Sequence, residues 1–94
     1  MTKEFILPTD FTKLNPRKKK QVREQYARMQ KGLCMYCNEP LDGQPPERIT
    51  SLPVNFPAHF FKYPVHLQHN HDTNMTEGAV HCYCNAVMWQ YEGR

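Results

Sequence analysis

Apolar residues keep helical spacing over one long stretch of the chain. Val22, Tyr26, Met29 and Leu33 recur every three or four positions with charged residues between them, which predicts an amphipathic helix. Its start is marked by Asn15-Pro16, an N-cap followed by a proline whose missing N–H costs nothing at the first helical position. Gly32 supplies a stop, so a basic helix is expected over 16–31, delivering the chain to Cys34. Ahead of it, 1–13 reads as an N-terminal arm or edge strand in which Phe5, Ile6, Leu7 and Phe11 are able to pack. The stretch 38–64 holds six of the eight prolines, a density that rules out a regular helix or a central strand. A long loop is expected there, with short extended pieces near 49–54 and 60–63 and with Phe56, Phe60, Phe61 and Tyr63 covering the core. From Val65 the pattern becomes strand (Val65 to Gln68), turn-rich segment, strand (Ala79-Val80) and short helix (NAVMWQY, 85–91), ended by Gly93.

Ninety-four residues correspond to one domain, 1–94, with a thin core for which a metal staple is a reasonable addition. An apolar share of 39% and a mean hydropathy of −0.77 fit a soluble globular chain. No apolar run approaches a membrane span, and the first residues lack the apolar stretch and cleavage site of a signal peptide, so the cytoplasm is the expected compartment. The net charge of +3 says little by itself. Its clustering says more: Arg17, Lys18, Lys19, Lys20 and Arg23 crowd onto the predicted helix, either as a solvated face or as a phosphate-binding surface.

Four cysteines fall as C-x-x-C (Cys34, Cys37) and C-x-C (Cys82, Cys84). In a chain without an export signal these spacings favour thiolate metal ligands over disulfides. Cys34 and Cys37 make the first half of a zinc knuckle. The second half has two solutions: His81 with Cys84 at the same x-x spacing, leaving Cys82 spare, or Cys82 with Cys84 in an all-cysteine site.

Between the two halves, His66-Leu67-Gln68-His69-Asn70-His71-Asp72 places three histidines within six positions. In an extended run His69 and His71 share a face with Leu67, while His66 and Gln68 point to the other. Here the chain resembles a known family. HLQHNHDTNMTEGAVHCYCN is similar, without a gap, to the signature H-L-D-H-D-H-x-T-G-x-x-R-G-L-L-C-x-x-C-N of the phage recombination endonuclease VII group of HNH nucleases, and QKGLCMYCNEPL resembles that group's first zinc half. About a third of the chain carries the resemblance.

The resemblance implies an α+β fold: a small zinc-stapled ββα-metal (HNH, or His-Me finger) domain with an N-terminal basic helix, its knuckle at 34–37 and 81–84 and its core at 65–92. It favours His81 over Cys82, because His81 falls on the signature's first cysteine, so structural Zn2+ is expected on Cys34, Cys37, His81 and Cys84. It implies that His69 is the general base, that Asn85 holds a catalytic Mg2+ or Mn2+ ion, and that His66 and His71 flank the base. It also implies DNA, duplex or branched, as partner, and a bacterial or phage-infected cell as setting. Some positions depart from the signature. Gln68 stands at a metal-binding Asp, Asn70 at another Asp, Glu77 at an Arg and Asn74 at a Gly. With Gln68 and Asn85 as its protein ligands, a hard cation is held weakly until phosphate joins. The long C-terminal helical region through which that group dimerises has no counterpart after the motif, and the oligomeric state stays open, a homodimer included. The expectation is thus a metal-dependent DNA endonuclease or nickase; the alternative is a catalytically degenerate zinc-knuckle module that only binds nucleic acid.

Overall fold

The structure is a computed structural model that describes residues 4–93; the first three residues of the expected arm, and residue 94, lie outside the described residues. Helix α1 spans Pro16–Met29. Asn15 caps it, its side-chain oxygen accepting the Lys18 N–H at 2.8 Å. The helix ends two residues before the expected limit, in a Schellman motif: Lys31 N–H reaches Arg28 O and Gly32 N–H reaches Ala27 O. The left-handed position is taken by Lys31 (φ 58°), with Gly32 (φ 75°) one place later than its predicted role. Because the chain turns there, Met29 and Leu33 leave the helical stripe and are exposed, contrary to the expected packing. The buried face is Val22, Gln25 and Tyr26, and burial of the two apolar side chains is worth about 1.5–3 kcal/mol each.

Gln25 has a specific task. Its side-chain amide pairs with both backbone groups of Phe5, accepting N–H at 2.8 Å and donating to the carbonyl at 2.9 Å, and so ties the arm to α1. Among the described residues, the arm contributes no strand but an isolated bridge between Asp10 and Met75, before a short 3-10 turn at Phe11–Lys13. Phe5, Leu7 and Phe11 pack on the core, whereas Ile6 is 91% exposed and does not.

Strands β1 (Val65–His69) and β2 (Thr76–His81) form an antiparallel hairpin, both longer than expected. Asn74 closes its turn in the left-handed region at φ 65°, a conformation asparagine tolerates. Helix α3 (Cys82–Glu92) follows β2 without a connecting loop, three residues earlier than expected, and Gly93 (φ 70°) ends it. Both α1 and α3 pack on the two strands. The Pro-rich stretch holds a single helical turn, α2 (Glu47–Thr50), and a 3-10 turn at Ala58–Phe61. These replace the expected extended pieces, because Pro46 and Pro57 sit at N-cap positions and favour a turn immediately after them. The stretch is held to α3 through its carbonyls: the Tyr83 and Tyr91 hydroxyls donate to Leu52 and Pro53, and Gln90 also donates to Pro53. Phe56, Phe60 and Phe61 are half-buried but pack on one another and on His66 and Tyr83 instead of covering the core as expected, and Tyr63 is exposed. Among the described residues, no helix is long and apolar enough to cross a membrane.

Candidate metal centre and adjoining cavity

Cys34 and Cys37 sit on the turn that follows α1; His81 and Cys84 lie at the abrupt passage from β2 into α3. All four are buried, and their donor atoms lie within 4.8 Å of one another. The spacing is that of a tetrahedral ion. With Zn–S and Zn–N bonds of about 2.3 and 2.05 Å, a sulfur–nitrogen edge of about 3.6 Å follows. His81 Nδ1 lies 3.4 Å from Cys37 Sγ and 3.6 Å from Cys84 Sγ. The other ring nitrogen, Nε2, is 2.8 Å from the Pro40 carbonyl, to which it donates, leaving the Nδ1 lone pair directed at the thiols. The four side chains are therefore close enough to bind a metal ion such as zinc. Cys82 is only half-buried and lies outside the cluster, which decides between the two solutions that spacing left open.

The protons at this cluster are unevenly held. A hydrogen bond from Cys84 draws the Cys34 thiol down to about 4, against burial. The same bond, with burial and the neighbouring thiolate charges, pushes Cys84 far up, and burial raises Cys37. One thiolate is shared among three sulfurs, and a dication that takes all three must displace protons.

A cavity of about 330 Å³ lies beside this centre, where α1, β1 and α3 meet. His66, Gln68, His69, His71 and Asn85, the expected site residues of β1, its turn and α3, all line it. So do Lys19 and Arg23, one helical turn apart on α1. Arg17, Lys18 and Lys20 do not line it and are exposed elsewhere on the helix, so the basic block divides. The register slips late in the hairpin: Gln68 pairs with Gly78 but His69 with Thr76, so Glu77 is an extra residue of β2. His66, Leu67, Gln68 and His69 all border the one cavity, whichever face of the strand each takes.

His69 is held face-on by Phe11, the rings 3.9 Å apart and 11° from parallel. Phe11 in turn lies under the Lys19 ammonium at 4.2 Å. Burial, then the His71 and Lys19 charges, hold His69 below the ordinary histidine value of 6.5. His66 is also held down, first by burial, and its ring is hydrogen-bonded to the Phe60 carbonyl, which pulls the other way. The Asn85 side-chain amide N–H lies 3.0 Å from His66 Nδ1, which accepts it. Asn85 thereby gives its NH2 to His66 and keeps Oδ1 as an oxygen donor.

No Asp or Glu is among the described residues that line the cavity. Gln68, 1% exposed, gives its side-chain N–H to the His69 carbonyl at 3.0 Å and lies 3.4 Å from the Glu77 carboxylate. Amide oxygens alone suit a hard dication weakly, so such an ion fits here only with anionic oxygens from a ligand. The lining carries two fixed cations and three imidazoles, which favour an anion, while the Glu77 carboxylate stands behind it against Gln68 and acts on His69 in the opposite sense.

Phe11, Phe60 and Trp89 border the cavity without having been singled out for it. Only Trp89 carried a usable signal, because it follows Asn85 by four positions on a predicted helix and must share its face. Phe11 and Phe60 arrive from segments whose path no local pattern specifies. No family model, curated protein or solved structure matches the chain.

Proposed function

We propose that this protein is an HNH-type nuclease that hydrolyses DNA phosphodiester bonds, with His69 as the general base. One observation carries the reading: His69, Asn85, Lys19 and Arg23, from three separate elements, border a single carboxylate-free cavity beside a Cys3His cluster. On this reading the cluster holds structural zinc, which locks the start of α3, and with it Asn85, against the hairpin bearing His69.

A strand phosphate is drawn into the cavity by Lys19 and Arg23, and affinity falls as salt rises. His69 is neutral near pH 7 because its proton affinity is lowered, so it can take a proton from a water in line with the phosphorus. Phe11 fixes the ring plane, so the accepting nitrogen needs no reorientation. Asn85 Oδ1 and Gln68, together with the phosphate, would hold the Mg2+ or Mn2+ ion. That ion supplies charge stabilisation at the phosphate and the leaving oxygen. Metal affinity on this scheme is low in the free protein and rises with DNA bound. Conversion of supercoiled plasmid to its nicked form, dependent on Mg2+ or Mn2+, tests the reading; no conversion under either metal would defeat it.

A second reading, a zinc-knuckle module that binds nucleic acid without cutting it, is favoured by the same lack of a carboxylate at the cavity. It predicts salt-dependent DNA binding and no metal-dependent nicking.

A further inference from the structure

The ring stack that fixes His69 does not stop there. His71 lies 4.5 Å from His69, and Trp89 stacks on His71 at 4.0 Å with the planes 23° apart. The series Phe11, His69, His71, Trp89 thus runs from the arm past the cavity to α3 as two face-to-face pairs joined by a 55° tilt between the two imidazoles. Its last member is 43% exposed. Among the described residues, His71 is the one ring stacked on Trp89. The indole also borders a second, open cavity of about 490 Å³ with Asn55, Phe56 and Gln90. A large aromatic ring left in water at the end of such a series, beside a cavity lined by Lys19 and Arg23, matches one ligand chemistry well: a planar base attached to a phosphate. Acidic peptides would satisfy Lys19 and Arg23 but give the indole no planar partner.

We propose that Trp89 is a nucleobase platform: an unpaired base of a single strand continues the stack on the indole while an adjoining phosphate lies against Lys19 and Arg23. Base–aromatic stacking tolerates any sequence, because every base has a π-face, but it requires a base released from its pair. The preferred substrate is therefore single-stranded or locally unpaired rather than intact duplex. The placement of the scissile bond rests on the nuclease reading; the platform itself does not.

Trp89 is the chain's one tryptophan, so its emission reports the platform directly. The experiment titrates the full-length, zinc-loaded protein, without added Mg2+ or Mn2+, with ten-nucleotide oligothymidylate, oligouridylate, an all-abasic strand of equal charge, and a ten-base-pair duplex. Oligothymidylate should quench the emission and bind about tenfold more tightly than the abasic strand. Oligouridylate should behave alike if the base alone is read, and more weakly if the platform selects DNA; either result keeps it. Trp89→Leu should bring oligothymidylate down to the abasic level, and Trp89→Phe should recover part of the difference. Equal affinities for base-bearing and abasic strands without quenching, or tightest binding to the duplex, would overturn the platform, and the wild-type titration decides this even if Trp89→Leu loses its fold. Quenching without nicking activity would keep the platform and remove the nuclease reading; nicking without quenching would do the reverse.

Discussion

Removal of the metal from the Cys3His centre should cost this protein its fold. The thiols of Cys34, Cys37 and Cys84 are themselves members of the buried core, alongside Val22, Leu67, Val80, Val87 and Met88. They join the end of α1 to the passage from β2 into α3, the two places where the helices meet the hairpin. Structural zinc in such centres contributes about 10–16 kcal/mol at neutral pH. A domain of this size is stable by about 5–15 kcal/mol in total. The two ranges overlap, so the metal is worth about as much as the whole fold and chelation should leave no cooperatively folded state at 25 °C. His81→Ala should have the same effect, because it removes the nitrogen at 3.4 and 3.6 Å from two sulfurs. Cys82→Ser should not, because that thiol lies outside the cluster. Since burial holds the protons on Cys37 and the hydrogen bond to Cys34 holds that on Cys84, loading should weaken as the pH falls. Thermal unfolding by circular dichroism, with metal content measured on the same samples, reads the chelated protein and both variants. A chelated protein that still unfolds cooperatively, within a few degrees of the loaded one, would refute the reasoning.

Gly78→Ala should lower stability by about 2–4 kcal/mol, combining overpacking with two weakened hydrogen bonds. A Cβ there would meet Met35 Sδ at 2.6 Å and Gln30 Oε1 at 2.8 Å, and the Gln30 amide bridges both backbone groups of Ala79; an unchanged melting temperature would contradict this. Lys19→Gln should move the acid limb of the cleavage profile upward, toward 6.5, since the base works above its pKa and Lys19 is among the charges that depress it. Burial is the larger cause, so the shift is partial, and a limb that stays in place or moves down counts against His69 as the titrating group. Gln68→Asp should lower the Mg2+ concentration needed for half-maximal nicking. It should also lower the melting temperature of the protein without Mg2+, because a second carboxylate then faces Glu77; an unchanged Mg2+ requirement would take Gln68 out of the site.

What the sequence made legible is what local rules govern. Asn15-Pro16 marked the start of α1, the C-x-x-C spacing marked one half of the Cys/His cluster and left His81 or Cys82 open for the other, and Gly93 marked the end of α3, because caps and ligand turns are decided within a few residues. The order strand, turn, strand, helix followed from hydrophobic pattern. Features that depend on distant parts of the chain were not legible. The bulge at Glu77 comes from the pairing of two strands, and periodicity in one of them is silent about it. The division of the basic block, with Lys19 and Arg23 facing the cavity and Arg17, Lys18 and Lys20 elsewhere, depends on the angle at which α1 meets the hairpin. Phe11 reaches His69 because its N–H bonds to the Asn74 carbonyl in the turn and the Thr9 carbonyl accepts from Thr76 at the start of β2, contacts across more than sixty residues of chain.

The central claim is that His69 activates the attacking water. Single-turnover cleavage of a labelled DNA strand in Mg2+ or Mn2+ tests it most directly, comparing wild type with His69→Ala while DNA binding and zinc content are measured on the same samples. The account predicts metal-dependent cleavage that falls by about 10²- to 10⁴-fold in the variant, the range a positioned general base supplies, with binding and zinc retained. A wild type that binds DNA and never cuts it, or a variant that cuts equally well, would contradict it.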